Sequence, residues 1–149
     1  MSEPIKNIKP HVWVFDTEYV PCVATGRKFH GLSEDIPDEE VVKKMYEYAG
    51  ATAEDPQPML KSVFYRIVSI AAVLRSFKWN PDTNRDQLQL VLHSVPREGD
   101  PFDEKAVVQG FLKAMGDRQP QIVGFASNMF DLTLLFQRAI ILGCDVKAF

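Results

Sequence analysis

Hydrophobic and polar positions change period several times along the chain, and each change predicts an element. His11 to Phe15 (His-Val-Trp-Val-Phe) is an unbroken apolar and aromatic run that opens on Asp16, the pattern of a strand buried on both faces and central in a sheet. From Pro21 to Lys61, Gly, Pro and acidic residues take over, so residues 21–61 are expected to form a long connection. Within it Val41, Val42, Met45 and Tyr48 recur at helical spacing between Asp38 and Ala49, with Gly50 as a stop, which predicts one surface helix. Phe64 to Leu74 is rich in β-branched residues; beyond the turn signal Asn80-Pro81-Asp82, Leu88, Leu90 and Leu92 alternate across Gln87 to His93, and the two runs predict a β-hairpin. Asp100-Pro101 offers an N-cap and a first-turn proline, with Asp103 three residues after the cap. The helix it starts buries Val107, Phe111, Ala114 and Met115 and closes at Gly116. Gln121 to Phe125 predicts another short strand, and Met129 to Leu142 an apolar helix ended by Gly143. This order of strands and helices is that of an α/β fold, a mixed sheet flanked by helices in one domain over residues 1–149.

Composition narrows the classes. A chain of 149 residues, 46% hydrophobic, is one ordinary globular domain, which excludes disordered and disulfide-stapled architectures. Lys+Arg 17 against Asp+Glu 20 gives a net charge of -3, so there is no basic excess to hold nucleic acid nonspecifically, and such a partner must be engaged locally or through metal ions. The first ten residues lack an apolar leader core, and the longest uncharged apolar run, Ile67 to Leu74, is too short for a bilayer; the expectation is a soluble, cytoplasmic protein with no membrane partner. Cys22 and Cys144, alone and far apart, are expected to stay reduced.

The candidate chemistry lies in carboxylates. In Asp16-Thr17-Glu18 the two acids are two residues apart, so in extended chain they face one side, roughly 6.5 Å apart along the strand. Asp131 opens the last helix after a strand ending in Gly124-Phe125-Ala126-Ser127-Asn128, at the end of the sheet where α/β proteins place ligands. Three hard oxygen ligands converging there suit Mg²⁺ or Mn²⁺, and paired ions are the usual apparatus of phosphodiester hydrolysis. Each part has an ordinary explanation as well. Strand-end acids are common surface, and Asp131, with Asn128 as N-cap, suits the positive end of a helix.

Val-Phe-Asp16-Thr-Glu18 resembles the first motif of the DEDD-type 3′-5′ exonucleases, and Val-Gly124-Phe-Ala-Ser-Asn-Met-Phe130-Asp131-Leu resembles their second. The run Phe64 to Leu74 and the helix from Phe102 to Met115 are similar to those of the bacterial proteins predicted as 3′-5′ exonucleases related to the proofreading domain of family B DNA polymerases. The resemblance implies a ribonuclease H-like fold, two divalent ions (Mg²⁺ or Mn²⁺), and hydrolysis of a single-stranded nucleic acid from its 3′ end, DNA favoured. It implies that Asp16 bridges the ions, that Glu18 holds the ion activating the attacking water, and that Asp131 supports the ion at the leaving oxygen. Thr17, Tyr19, Ser127 and Asn128, beside these carboxylates, are the expected substrate contacts.

The chain departs from the pattern in two places. Ala126 stands where the polymerase-type second motif has asparagine, with Asn128 two residues on. The third motif, a tyrosine or histidine followed by an aspartate, should follow the second, so the resemblance implies a fragment lacking the last strand and helix. His30 and Asp35 have the spacing of that motif but stand too early in the chain. An inactive ribonuclease H-like binding or interaction domain is the alternative. A missing fifth strand would leave Ile122, Val123 and Phe125 on an open edge through which the chain self-associates. Arg66 and Arg138 are candidates for phosphate contact, Arg138 more for pairing with acids. Tyr19 and Phe29 are candidates for base stacking, and Phe125 is expected in the core. The helix from Asp38 to Glu47 reads as a solvated face.

Overall fold

A computed structural model describes residues 9–145. The first strand, β1 (Val12–Pro21), leads into two helices, α1 (Val23–His30) and α2 (Asp38–Tyr48); β2 (Tyr65–Asn80) and β3 (Arg85–Val95) follow, then α3 (Glu104–Arg118), β4 (Gln121–Val123) and α4 (Asp131–Ile141). The sheet order is β3-β2-β1-β4, with β1 antiparallel to β2, β2 antiparallel to β3, and β1 parallel to β4. It is the mixed sheet with helices, an α/β fold consistent with a ribonuclease H-like domain, that the sequence pattern predicts. Among the described residues no helix is long and apolar enough to cross a membrane.

β1 is central, as expected, but it is not buried on both faces. Trp13, Phe15 and Thr17 are buried, whereas Val14, Asp16 and Glu18 are exposed. Among the described residues the helices cover the face of Trp13 and Phe15: Phe111 of α3 packs on these two, with ring centroids 6.1 and 5.4 Å away, and Leu134 and Leu135 of α4 close the same core. The strand also runs past Asp16 to Pro21, because β2 continues to pair with it.

The hairpin is present and longer than its apolar runs. A bulge at Val68, where Glu18 pairs with Ser69 but Tyr19 with Ile67, turns both Ile67 and Ile70 into the core. On β3 the leucines at 88, 90 and 92 are all exposed.

Residues 21–61 hold two helices rather than one. The sequence pattern misses α1 because Val23 to His30 contains a glycine and has neither a side-chain cap nor an acidic first turn. It is a helix by packing: at Gly26 any Cβ would collide with Met45 and Val41, so the glycine lets α2 come close. Val41 and Met45 of α2 are fully buried, so α2 is half core rather than surface alone, while Tyr48 is exposed. Arg27, also buried, donates to the Ser33 carbonyl (2.8 Å) and to Asp38 (2.6 Å), tying the helices end to end.

Helix α3 starts later than Asp100-Pro101 predicts. Asp103 is the cap, accepting from the backbone N–H groups of Lys105 (2.9 Å) and Ala106 (3.2 Å), and the helix runs past Gly116 until Gln119 turns left-handed. β4 ends at Val123, two residues before Phe125. Cys22 is buried and Cys144 half-buried, both free cysteines.

Candidate active site

Strand alternation decides where the first two carboxylates go. Asp16 and Glu18 pair with Ala71 and Ser69 on β2 and lie together on the open face of the sheet. On the other side of β1, pairing with β4 stops at Val14, so both acids stand just beyond the carboxyl end of β4. Thr17, between them, points into the core.

The turn after β4 brings in Asp131. Gly124 leaves room for Ser127, whose Cβ and Oγ would lie 2.6 Å from any Cβ at position 124. Ala126 takes a left-handed conformation (φ 49°), and its carbonyl accepts from the Met129 N–H (2.9 Å). The helix begins at Asp131, its first residue, with Phe130 rather than Asn128 at the N-cap. The carbonyls of Ser127 and Phe130 accept from the N–H groups of Leu132 and Leu134, each at 2.8 Å. Phe130 packs on Tyr19 (4.8 Å between centroids) and Tyr65 (5.8 Å). Asp131 is buried and accepts a short hydrogen bond from the Thr17 hydroxyl.

The three sequence-predicted acids therefore do not all face one point. Asp16 and Glu18 share the open face, while α4, packed like α3 on the core face, meets the inward residue Thr17. Among the described residues no three His, Cys, Asp or Glu side chains are arranged around one metal position. They do meet electrostatically at Tyr19. Burial raises its pKa above the ordinary 10.0, and Tyr65, Asp131, Asp16 and Glu18 push it further in the same direction.

The remaining candidates divide. Ser127 is buried and Asn128 exposed, its carbonyl accepting from the Thr133 hydroxyl at 3.4 Å. Phe125, expected in the core, is 99% exposed beside the site, because β4 stops before it. Phe29 packs edge-on against His30, Tyr48 and Phe64, away from the carboxylates. Asp35 takes the hydroxyl of Ser33, so His30 and Asp35 form no unit.

Arg138 is a structural residue. Its guanidinium donates twice to Glu104, both bonds 2.7 Å, and Glu104 also accepts from the Ile67 N–H at 2.9 Å, so one buried pair joins α4, α3 and β2. Arg66 lies over the Phe102 ring, 5.5 Å from its centroid. Sequence reasoning missed Glu104 and the anchoring role of Thr17. The alternation of β1 carried a signal for the second, since a residue between two outward acids must point inward.

A family model described as a predicted 3′-5′ exonuclease related to the exonuclease domain of PolB matches residues 57–149. The match takes in β2, β3, α3, β4 and Asp131, and leaves Asp16 and Glu18 outside it. No curated protein matches the chain.

Proposed function

The chain belongs to the family of predicted 3′-5′ exonucleases related to the exonuclease domain of PolB, and from that membership we propose that it removes nucleotides from the 3′ end of a single-stranded nucleic acid, DNA in preference, with Mg²⁺ or Mn²⁺. The observation that carries this reading is the pair Asp16 and Glu18, side by side on the open face and just beyond the end of β4, with the family's matched Asp131 fixed to the residue between them. Exposed carboxylates two apart on a strand are hard oxygen donors of the kind divalent ions take. Asp16 and Glu18 would hold the ion, which supplies charge for an activated water and a leaving oxygen. Asp131, buried against Thr17, anchors α4 to the strand that displays the pair. Phe125, fully exposed beside the site, offers a ring on which a terminal base stacks, a contact that tolerates any sequence. A net charge of -3 favours a single strand end over a duplex.

A second reading, an inactive ribonuclease H-like binding domain, draws support from Asp131 being committed to Thr17 on the far side of β1. One experiment decides between them. Single-stranded DNA carrying a 5′ label is incubated with Mg²⁺, with Mn²⁺ and with a chelator. The nuclease reading expects metal-dependent shortening from a free 3′ end, none with a blocked 3′ end or a circular strand, and loss of activity in Asp16→Asn. Binding of the strand without shortening in either metal would favour the inactive domain.

A further inference from the structure

Helix α3 does not fill the space between itself and the sheet. A cavity of about 140 Å³ lies there, on the side of β1 away from Asp16 and Glu18. Gly110 and Ala114, one turn apart on α3, line it, and a Cβ built at Gly110 would meet no atom within 4 Å. The floor is buried and apolar, made by Trp13, Ile70, Ala72 and Phe111. The rim is exposed and polar, with His93 and Ser94 of β3 and Arg118, the last residue of α3. Protein interiors hold few voids larger than a water molecule, and apolar walls with a few placed polar groups are the make-up of a small-molecule site.

Arg118 supplies a charge at the rim. Its guanidinium lies over the Trp13 ring, 5.9 Å from the centroid, which holds it against the wall of the cavity. The buried arginines are committed to acids, Arg27 to Asp38 and Arg138 to Glu104, but among the described residues no carboxylate pairs with Arg118. Its neighbour Asp117 is taken by Lys113. We propose that the cavity binds a small carboxylic acid whose apolar body is the size of one benzene ring. The volume sets that size, since an engineered cavity of about 150 Å³ with apolar walls takes up benzene. The body would lie on Trp13, Phe111 and Ile70. The carboxylate would stay at the rim, where the fork of Arg118 N–H groups matches its two oxygens. The inference goes beyond the nuclease reading and rests on no part of it.

Trp13 reports on its own cavity. The chain has two tryptophans, and Trp79→Phe leaves Trp13 as the fluorophore. In that background phenylacetate is expected to change the Trp13 emission along a saturating curve and to raise Tm over the same concentrations. Benzyl alcohol, the same ring without a charge, should bind at least about tenfold more weakly. Arg118→Gln should weaken phenylacetate by a similar factor, read from the midpoint because loss of the cation also alters the starting emission. Ala114→Leu, which puts a side chain into the cavity, should abolish binding. Should overpacking unfold that variant, Arg118→Gln still decides, since its position is exposed and its circular dichroism should stay that of the parent. A Trp13 emission and a Tm that both ignore phenylacetate up to tens of millimolar would overturn the proposal. So would benzyl alcohol binding as tightly as phenylacetate, a midpoint that Arg118→Gln leaves unmoved, or binding that survives in a folded Ala114→Leu.

Discussion

The hydroxyl of Thr17 on β1 donates to the carboxylate of Asp131 at the start of α4, joining residues 114 positions apart inside the core. Its neighbours Asp16 and Glu18 point the other way, so this one contact fixes the helix to the strand that displays the outward pair. A buried carboxylate without its donor is costly, about 1–3 kcal/mol for the lost partner. Thr17→Val keeps the side-chain shape and removes the donor, and is expected to lower stability by about that amount in urea unfolding. Thr17→Ser keeps the donor and should lose far less. Asp131→Asn should be close to neutral, because the amide oxygen still accepts.

Metal binding separates the two readings by mass action. An ion that binds only the folded chain stabilises it by about 2.7 kcal/mol at a hundred times its Kd, a clear rise in Tm. With Mn²⁺ the wild type should show that rise, and Asp16→Asn and Glu18→Gln should each abolish it, whereas Asp131→Asn, buried against Thr17, should keep it. Without metal, Asp16→Asn should change stability little, since the side chain is exposed on the open face. A wild type and an Asp16→Asn variant that respond equally to Mn²⁺ would remove these acids from the metal site.

Much of the fold was legible in the sequence because its strands and later helices follow simple periods. The hairpin, α3 and α4 lie where Leu88 to Leu92, Val107 to Met115 and Leu134 to Leu142 place them. What was not legible depends on tertiary packing. Helix α1 exists because Gly26 lets Met45 approach, and no local pattern encodes that contact. The short run His11 to Phe15 cannot distinguish burial on two faces from burial on one, since valine suits an exposed strand position as well as a buried one. For the site, spacing gave the shared face of Asp16 and Glu18. The side of the sheet on which α4 docks was not local information, and that is what turned Asp131 toward Thr17.

The left-handed Ala126 leads to a third expectation. A residue with a Cβ at φ 49° is strained, whereas glycine takes that conformation freely and asparagine more readily than other residues. Ala126→Gly should therefore gain up to about 1 kcal/mol, with the greater chain entropy of unfolded glycine offsetting part of it. Ala126→Asn, the residue that the resembling polymerase-type motif carries here, should gain stability without that entropic loss. Urea midpoints of the two variants beside the wild type check both, and a loss in each would show that the turn does not hold Ala126 in this conformation.

Tyr19 gives the molecule an alkaline limit. Its ring packs on Tyr65 and Phe130, each 4.8 Å away between centroids, and burial first, then Tyr65 and the three acids, raise its pKa above 10.0. Below that ordinary value both folded and unfolded chains hold the phenolic proton, and the contribution to stability is level. Above it the unfolded chain releases the proton first, so it binds fewer protons than the folded chain and stability falls as pH rises through the raised folded value. Tyr19→Phe keeps the ring and removes the titration. Urea unfolding at about pH 9 and about pH 11 should show a smaller loss across that interval in Tyr19→Phe than in the wild type. Some loss should remain in the variant, because burial raises Tyr46 in the same sense. Identical losses in the two proteins would mean that the Tyr19 hydroxyl is as free in the folded chain as in the unfolded one, and that the acids around it do not act on it.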